Sequence, residues 1–224
     1  MKYLACDLDG IYEIFDNYPE IKYDYIVACN GSIIIDKDNN VIYDKYINSN
    51  VAECIFKDFI DEEGICIHFE WERNNYLIDP KDTNGIEHLL EYFKGIISRE
   101  EVFSEKRNYS IISLFAKNED INKAEEAKNM LIKKYGNSLE AFRNQYFVDI
   151  APKNCSKGNG IKKLMELNKL EAQKIYAIGD SYNDLSMFEL TSNSFTFHNV
   201  EENLKKYANN HVSSVSECIE KMLA

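Results

Sequence analysis

Two short apolar runs near opposite ends of the chain each close on an acid-rich turn. Tyr3-Leu4-Ala5-Cys6 leads into Asp7-Leu8-Asp9-Gly10, and Ile175-Tyr176-Ala177-Ile178 leads into Gly179-Asp180-Ser181-Tyr182-Asn183-Asp184. A brief apolar run without polar alternation reads as a strand buried on both faces, the habit of parallel strands in an α/β sheet. Both acidic turns then emerge at the carboxyl ends of such strands, where open α/β sheets bind ligands. The expected core is therefore discontinuous in sequence.

The two carboxylates Asp7 and Asp9 are one residue apart. Just past a strand end, that spacing turns both toward one crevice, where a hard cation such as Mg²⁺ takes oxygens from carboxylates and carbonyls. One carboxylate can attack while the other moves a proton. The metal's charge keeps the first ionised and screens the approach of an anionic phosphate. A lone Asp-x-Asp-Gly also reads as an ordinary strand-to-turn exit, because Asp and Gly favour turns. The second cluster after a matching strand turns the reading toward a divalent-metal site.

Four segments in order resemble one known family. Asp7-Leu8-Asp9-Gly10, Asn30-Gly31-Ser32, Ser156-Lys157-Gly158 and Gly179 through Asp184 are similar to the motifs of the haloacid dehalogenase-like hydrolases, in particular the Cof-type phosphatases with a large inserted cap. The resemblance implies a Rossmann-like parallel α/β core, an α+β cap that closes over the site and selects the substrate, and Mg²⁺ as cofactor. It implies Asp7 as the nucleophile forming an aspartyl-phosphate and Asp9 as general acid/base. It implies Asp7, Asp9 and Asp180 as metal ligands, Lys157 as a catalytic cation, and Asn183, Asp184, Asn30 and Gly31 around the phosphate or the metal shell. Asn199 is a weaker candidate of the same origin.

Lys157 also stands on physical grounds. It opens a helical pattern (Ile161, Leu164, Met165, Leu167), and a cation beside helix N-terminal amides makes a good oxyanion clamp. Most of the 26 Lys and Arg residues must be surface charges. The Ser-Lys-Gly context raises Lys157 above them.

One departure from the family pattern concerns the connection after the first motif. A helix and a further strand normally stand there, and that strand ends in a Ser or Thr that binds the transferring phosphoryl group. Here the next apolar run, 25–29, leads straight into Asn30, so 9–24 supplies only sixteen connecting residues. A single parallel crossover already needs about a dozen, and Pro19 opposes one continuous helix. The expected core is one strand short and lacks the second motif's hydroxyl, for which Ser32 or Tyr12 are the nearby substitutes. Such a deletion can uncover apolar surface, which leaves a homo-oligomer open.

Between the motifs the pattern changes to α+β. Helices are expected over 51–63, 86–97 and 121–135, and strands over 65–71, 109–116 and 145–150. Residues 37–150 are assigned to the cap, and 1–36 with 151–224 to the core. The boundaries are Asp36-Lys37-Asp38-Asn39-Asn40, a hairpin turn, and Ala151-Pro152-Lys153-Asn154. In the second core segment helices are expected over 157–168, 185–190 and 214–223, and strands over 174–178 and 194–198. Trp71, Arg73 and Arg107 of the cap could face the crevice, but an arginine or tryptophan there is more often a packing or surface residue.

Composition excludes other classes. A formal net charge of −12 opposes nucleic-acid binding, which needs clustered Lys and Arg. No run reaches the roughly 18 apolar residues of a membrane span. No secretory signal is visible, and six scattered cysteines without Cys-x-x-Cys suit reduced thiols, so a cytoplasmic protein is expected. The four histidines lack metal-binding spacing. The expected function is a Mg²⁺-dependent phosphatase of a small phosphorylated metabolite, slowed by the missing motif. The alternatives are a catalytically impaired relative that binds a phosphorylated ligand or protein partner, and a phosphosugar phosphotransferase.

Overall fold

The computed structural model describes residues 2–6 and 23–224. The chain opens on strand β1 (Tyr3–Cys6), followed by β2 (Tyr25–Ala28), β3 (Ile33–Asp36) and β4 (Val41–Asp44). The middle of the chain holds α1 (Ser49–Phe59), β5 (Ile65–Trp71), β6 (Asn74–Ile78), β7 (Gly95–Ile97), α2 (Arg99–Ser104), β8 (Ile112–Ala116), α3 (Ile121–Tyr135), β9 (Leu139–Asn144) and β10 (Phe147–Pro152). The last third holds α4 (Lys157–Asn168), β11 (Ile175–Ile178), α5 (Leu185–Phe188), β12 (Ser194–Phe197), α6 (Glu202–Lys205), β13 (Asn210–Val212) and α7 (Val215–Leu223). The chain divides into two compact units, 1–43 with 156–224, and 44–155.

The first unit is an α/β layer structure. Its main sheet runs β1-β11-β12-β13 with every neighbour parallel. Alternate side chains leave opposite faces of a strand, and both faces here are apolar. Leu4, Cys6, Ile178, Phe195 and Val212 pack with Cys218 of α7, whereas Ala5 and Ala177 pack with Ile161 of α4 and Met187 of α5. Helices on both faces of a parallel sheet are what near-continuous apolar strands require.

The run 25–29 does not enter that sheet. β2 pairs antiparallel with β3 in a separate β2-β3-β4 sheet. The expected turn at 36–40 forms there: Asp36 Oδ1 accepts from the Asp38 and Asn40 amides, both at 2.9 Å, and Asn39 takes φ 65°.

The second unit carries a sheet in the order β7-β6-β5-β8-β10-β9, antiparallel except for β6 with β7. In β5, Ile65, Ile67 and Phe69 face a core shared with Phe56 and Phe59 of α1 and Leu131 of α3. Each fully buried aromatic or aliphatic side chain contributes about 1.5–3 kcal/mol. Cys66 points to the other face with Leu77, Ile86, Leu89 and Phe115. His68 follows it there, among Phe93, Phe115 and Phe147.

The helix expected over 86–97 is not formed. Residues Glu87–Tyr92 make a 3₁₀ turn, and Gly95–Ile97 becomes β7, parallel to β6. The apolar spacing Ile86, Leu89, Leu90 and Phe93 suits a three-residue repeat as well as 3.6. Gly95 and the β-branched Ile96 and Ile97 then favour a strand. Smaller differences trim the strand expected from 109 to a start at Ile112 and carry β10 through Pro152. Among the described residues, no helix is long and apolar enough to cross a membrane. None of the six cysteines is in a disulfide.

Candidate active site

Strand register sets the first landmark. Cys6 and Ile178 are partners across the parallel β1–β11 pair, so the two strands end level with each other. Gly179 and Asp180 follow Ile178 directly, and Asp180 is exposed. Asp7, Asp9 and Tyr12 lie outside the described residues.

The second landmark is the start of α4. Ser156 caps it, its side chain accepting from the Asn159 amide at 3.1 Å. Lys157 is the first helical residue, and its Nζ donates to Asp184 Oδ1 at 2.8 Å. Asp184 is 0% exposed. Its other oxygen, Oδ2, accepts from the Asp180 amide at 2.9 Å, the Ser181 amide at 3.1 Å and the Ser181 hydroxyl at 3.2 Å. A buried carboxylate is tolerated only when paired and hydrogen-bonded, and this one is both. The carboxylate ties the turn that presents Asp180 to the helix that presents Lys157.

Glycines make these approaches possible. A Cβ on Gly179 would lie 2.4 Å from Asp184 Oδ2. A Cβ on Gly158 would lie 1.9 Å from the Ser186 carbonyl oxygen, and the Gly158 amide donates to Ser186 Oγ at 3.0 Å. Ser181 Oγ also contacts Asn183 Oδ1, and Asn183 is buried.

Asn30 and Gly31 lie under the same helix. Cys29, Asn30 and Gly31 take φ 51°, 50° and 83°, a left-handed turn that only Gly adopts without cost. A Cβ on Gly31 would lie 2.1 Å from the Ser156 carbonyl oxygen, and one on Gly160 would lie 2.6 Å from Gly31 Cα. The turn therefore seats the first turn of α4, and with it Lys157. Ser32 is fully buried and its hydroxyl donates to the Cys29 carbonyl at 2.9 Å. That hydroxyl is turned into its own loop.

Asn199 is exposed beyond the end of β12. In the second unit, Arg107 is a packing residue. Its side chain is 3% exposed, stands 5.3 Å over the Trp71 ring and pairs with Glu101 and Glu105, each at 2.7 Å. Sequence reasoning passed over Ser181, Ser186 and Thr196. The available signal was polar residues at Ser194 and Thr196 in a strand that is buried on both sides.

Among the described residues, no three His, Cys, Asp or Glu side chains converge on a metal position. Asp180 is an exposed oxygen donor at the sheet edge. Asp184 has both oxygens engaged by protein donors. Asp180 and Asp184, the two carboxylates described at this end of the sheet, offer oxygen donors.

Residues 9–220 match the family model described as haloacid dehalogenase-like hydrolase. A 5-amino-6-(5-phospho-D-ribitylamino)uracil phosphatase of Bacillus subtilis strain 168 is 27% identical over 205 residues, covering 81% of this chain and 70% of that protein. Among solved structures, a Streptococcus mutans UA159 protein superposes with a TM-score of 0.81 at 16% identity, covering 100% of this chain and 86% of that one. A sugar phosphatase of haloacid dehalogenase subclass IIB superposes with a TM-score of 0.73 at 19% identity, covering 94% of this chain and 76% of that one. With its parallel core and a family match over nearly its whole length, the chain belongs to the haloacid dehalogenase-like hydrolases.

Proposed function

We propose that the protein is a phosphatase that hydrolyses a small phosphorylated metabolite through an aspartyl-phosphate on Asp7. The observation that carries the reading is the Lys157–Asp184–Asp180 arrangement beside the end of β11, whose last residue is the register partner of Cys6, the residue bonded to Asp7. In the first step an Asp7 carboxylate oxygen attacks phosphorus and the ester P–O bond breaks. The leaving alcohol takes a proton from Asp9. In the second step Asp9 takes a proton from water as that water attacks phosphorus, which releases inorganic phosphate and restores Asp7.

Carboxylate oxygen donors fit Mg²⁺ better than Zn²⁺. Asp7, Asp9 and Asp180 are its proposed ligands, and the ion would neutralise phosphate charge when bound. Asp184 is assigned to holding the turn and Lys157, not to the ion. Lys157 places a fixed cation where negative charge develops.

Two further parts belong to the same reading. Residues 37–150 serve as a cap that selects the substrate. The core is one strand short, a view supported by the sixteen-residue connection and by β2 lying outside the parallel sheet. Loss of one preorganised donor costs about 3–4 kcal/mol of barrier, roughly a hundred- to thousandfold in rate. The Ser32 hydroxyl donates to the Cys29 carbonyl at 2.9 Å, which supports slow turnover and keeps a ligand-binding role as the second reading. The named activities of the relatives make sugar and sugar-alcohol phosphates the first substrates to assay.

The test is hydrolysis of an aryl phosphate and a metabolite panel with Mg²⁺, with EDTA and with Asp7→Asn. Slow turnover that needs both the metal and Asp7 is expected. Absence of turnover across the panel overturns the phosphatase reading.

A further inference from the structure

We propose that Thr196 is a positioning residue for Asp180, acting through the peptide that joins Gly179 to Asp180; this deepens the phosphatase reading and rests on it. Thr196 lies in β12, next to β11 in the parallel sheet, and is fully buried. Its hydroxyl is no part of the strand ladder. It donates to the Gly179 carbonyl oxygen at 2.9 Å. The N–H of that same peptide, carried by Asp180, donates to Asp184 Oδ2 at 2.9 Å.

A peptide unit is planar, so holding its oxygen from one side and its N–H from the other fixes the plane. Fixing that plane fixes the N–Cα bond of Asp180, and the next amide, Ser181 N–H, donates to the same Asp184 oxygen at 3.1 Å and so limits rotation about that bond and the direction in which the side chain leaves. The Gly179 amide adds a third tie, to the Phe195 carbonyl at 3.3 Å. Asp180 itself is exposed at the end of β11. Thr196 and Asp184 thus form two jaws on one peptide, and the second jaw also holds Lys157. Removing a group that orients a metal ligand typically weakens metal binding by about 10- to 100-fold.

The test measures Mg²⁺ binding to the full chain by titration calorimetry, beside hydrolysis, for the wild type, Thr196→Val and Thr196→Ser. Valine keeps the shape and deletes the donor, whereas serine keeps the donor and deletes a methyl. The valine variant is expected to bind Mg²⁺ about 10- to 100-fold more weakly, with the serine variant close to wild type. Should the valine variant not fold, Thr196→Ala supplies the same deletion without crowding. Equal loss in the valine and serine variants assigns Thr196 to packing and overturns the inference. So does a folded valine variant with wild-type Mg²⁺ affinity, which leaves the phosphatase reading standing. A wild-type chain that binds no Mg²⁺ and turns over no substrate overturns both.

Discussion

Replacing Asp184 with Asn removes a charge and almost no volume from a fully buried position. The carboxylate accepts from the Lys157 ammonium and from the Asp180 and Ser181 amides, and it shares the single Ser181 hydroxyl proton with Asn183. An amide can accept on one side only. If its oxygen faces the two backbone amides, its NH₂ faces the Lys157 ammonium, donor against donor. Removing one partner of a buried ion pair costs about 3–5 kcal/mol. The lower end applies here, because Lys157 keeps 18% of its side chain exposed and can turn toward water. At about 2–4 °C per kcal/mol for a chain of this size, Asp184→Asn should lower the melting temperature by about 6–12 °C. Calorimetry is the assay of choice. The one tryptophan, Trp71, sits in the unit formed by 44–155, so its fluorescence reports the wrong unit. Lys157→Met in the Asp184→Asn background should cost less than in the wild type, since the pair is already broken. Melting within about 2 °C of wild type, or single effects that simply add to within about 0.5 kcal/mol, would refute the ion-pair argument.

Two glycines of similar backbone separate sterics from strain. Gly31→Ala meets the Ser156 carbonyl at 2.1 Å and should abolish folding of its unit, whereas Gly64→Ala, at φ 77° with its nearest atom 4.0 Å away, should cost about 1–2 kcal/mol in urea melts. His68 gives the pH dependence. Burial pushes its pKa down from 6.5 to about 4, so the unfolded chain binds the proton first. Stability should fall as pH drops from 6.5 to about 4, by at most about 3 kcal/mol. His68→Leu should flatten that acid limb, and an unchanged limb assigns it to other groups.

Where local chemistry decides, the elements are readable in advance. The helix over 121–135 matches because Asp120 caps it, and the helix over 157–168 because Ser156 does. The strand over 65–71 matches through its two-residue alternation. Where two periods compete, as in 86–93, the packing of Ile86 and Leu89 against Cys66 and Phe115 settles the outcome, and no local signal shows it. The site divides the same way. Lys157 and Asp180 stand out by their neighbours in sequence. Thr196 does not, because a threonine inside a strand is ordinary until its hydroxyl is seen to reach the Gly179 carbonyl.

Division into a contiguous unit, 44–155, and one built from both ends of the chain bears on how the molecule is made. The middle unit has all its strands available once residue 155 has been synthesised. β1 must wait for β11, and Tyr3 meets its partner Ile175 only when most of the chain exists. Non-local pairing is slow because the loop must close before any contact rewards it. The middle unit should therefore gain protection from hydrogen exchange first during refolding, with the β1–β11 amides last. During that interval β1 is an unpaired apolar strand, and losses to aggregation should track its exposure.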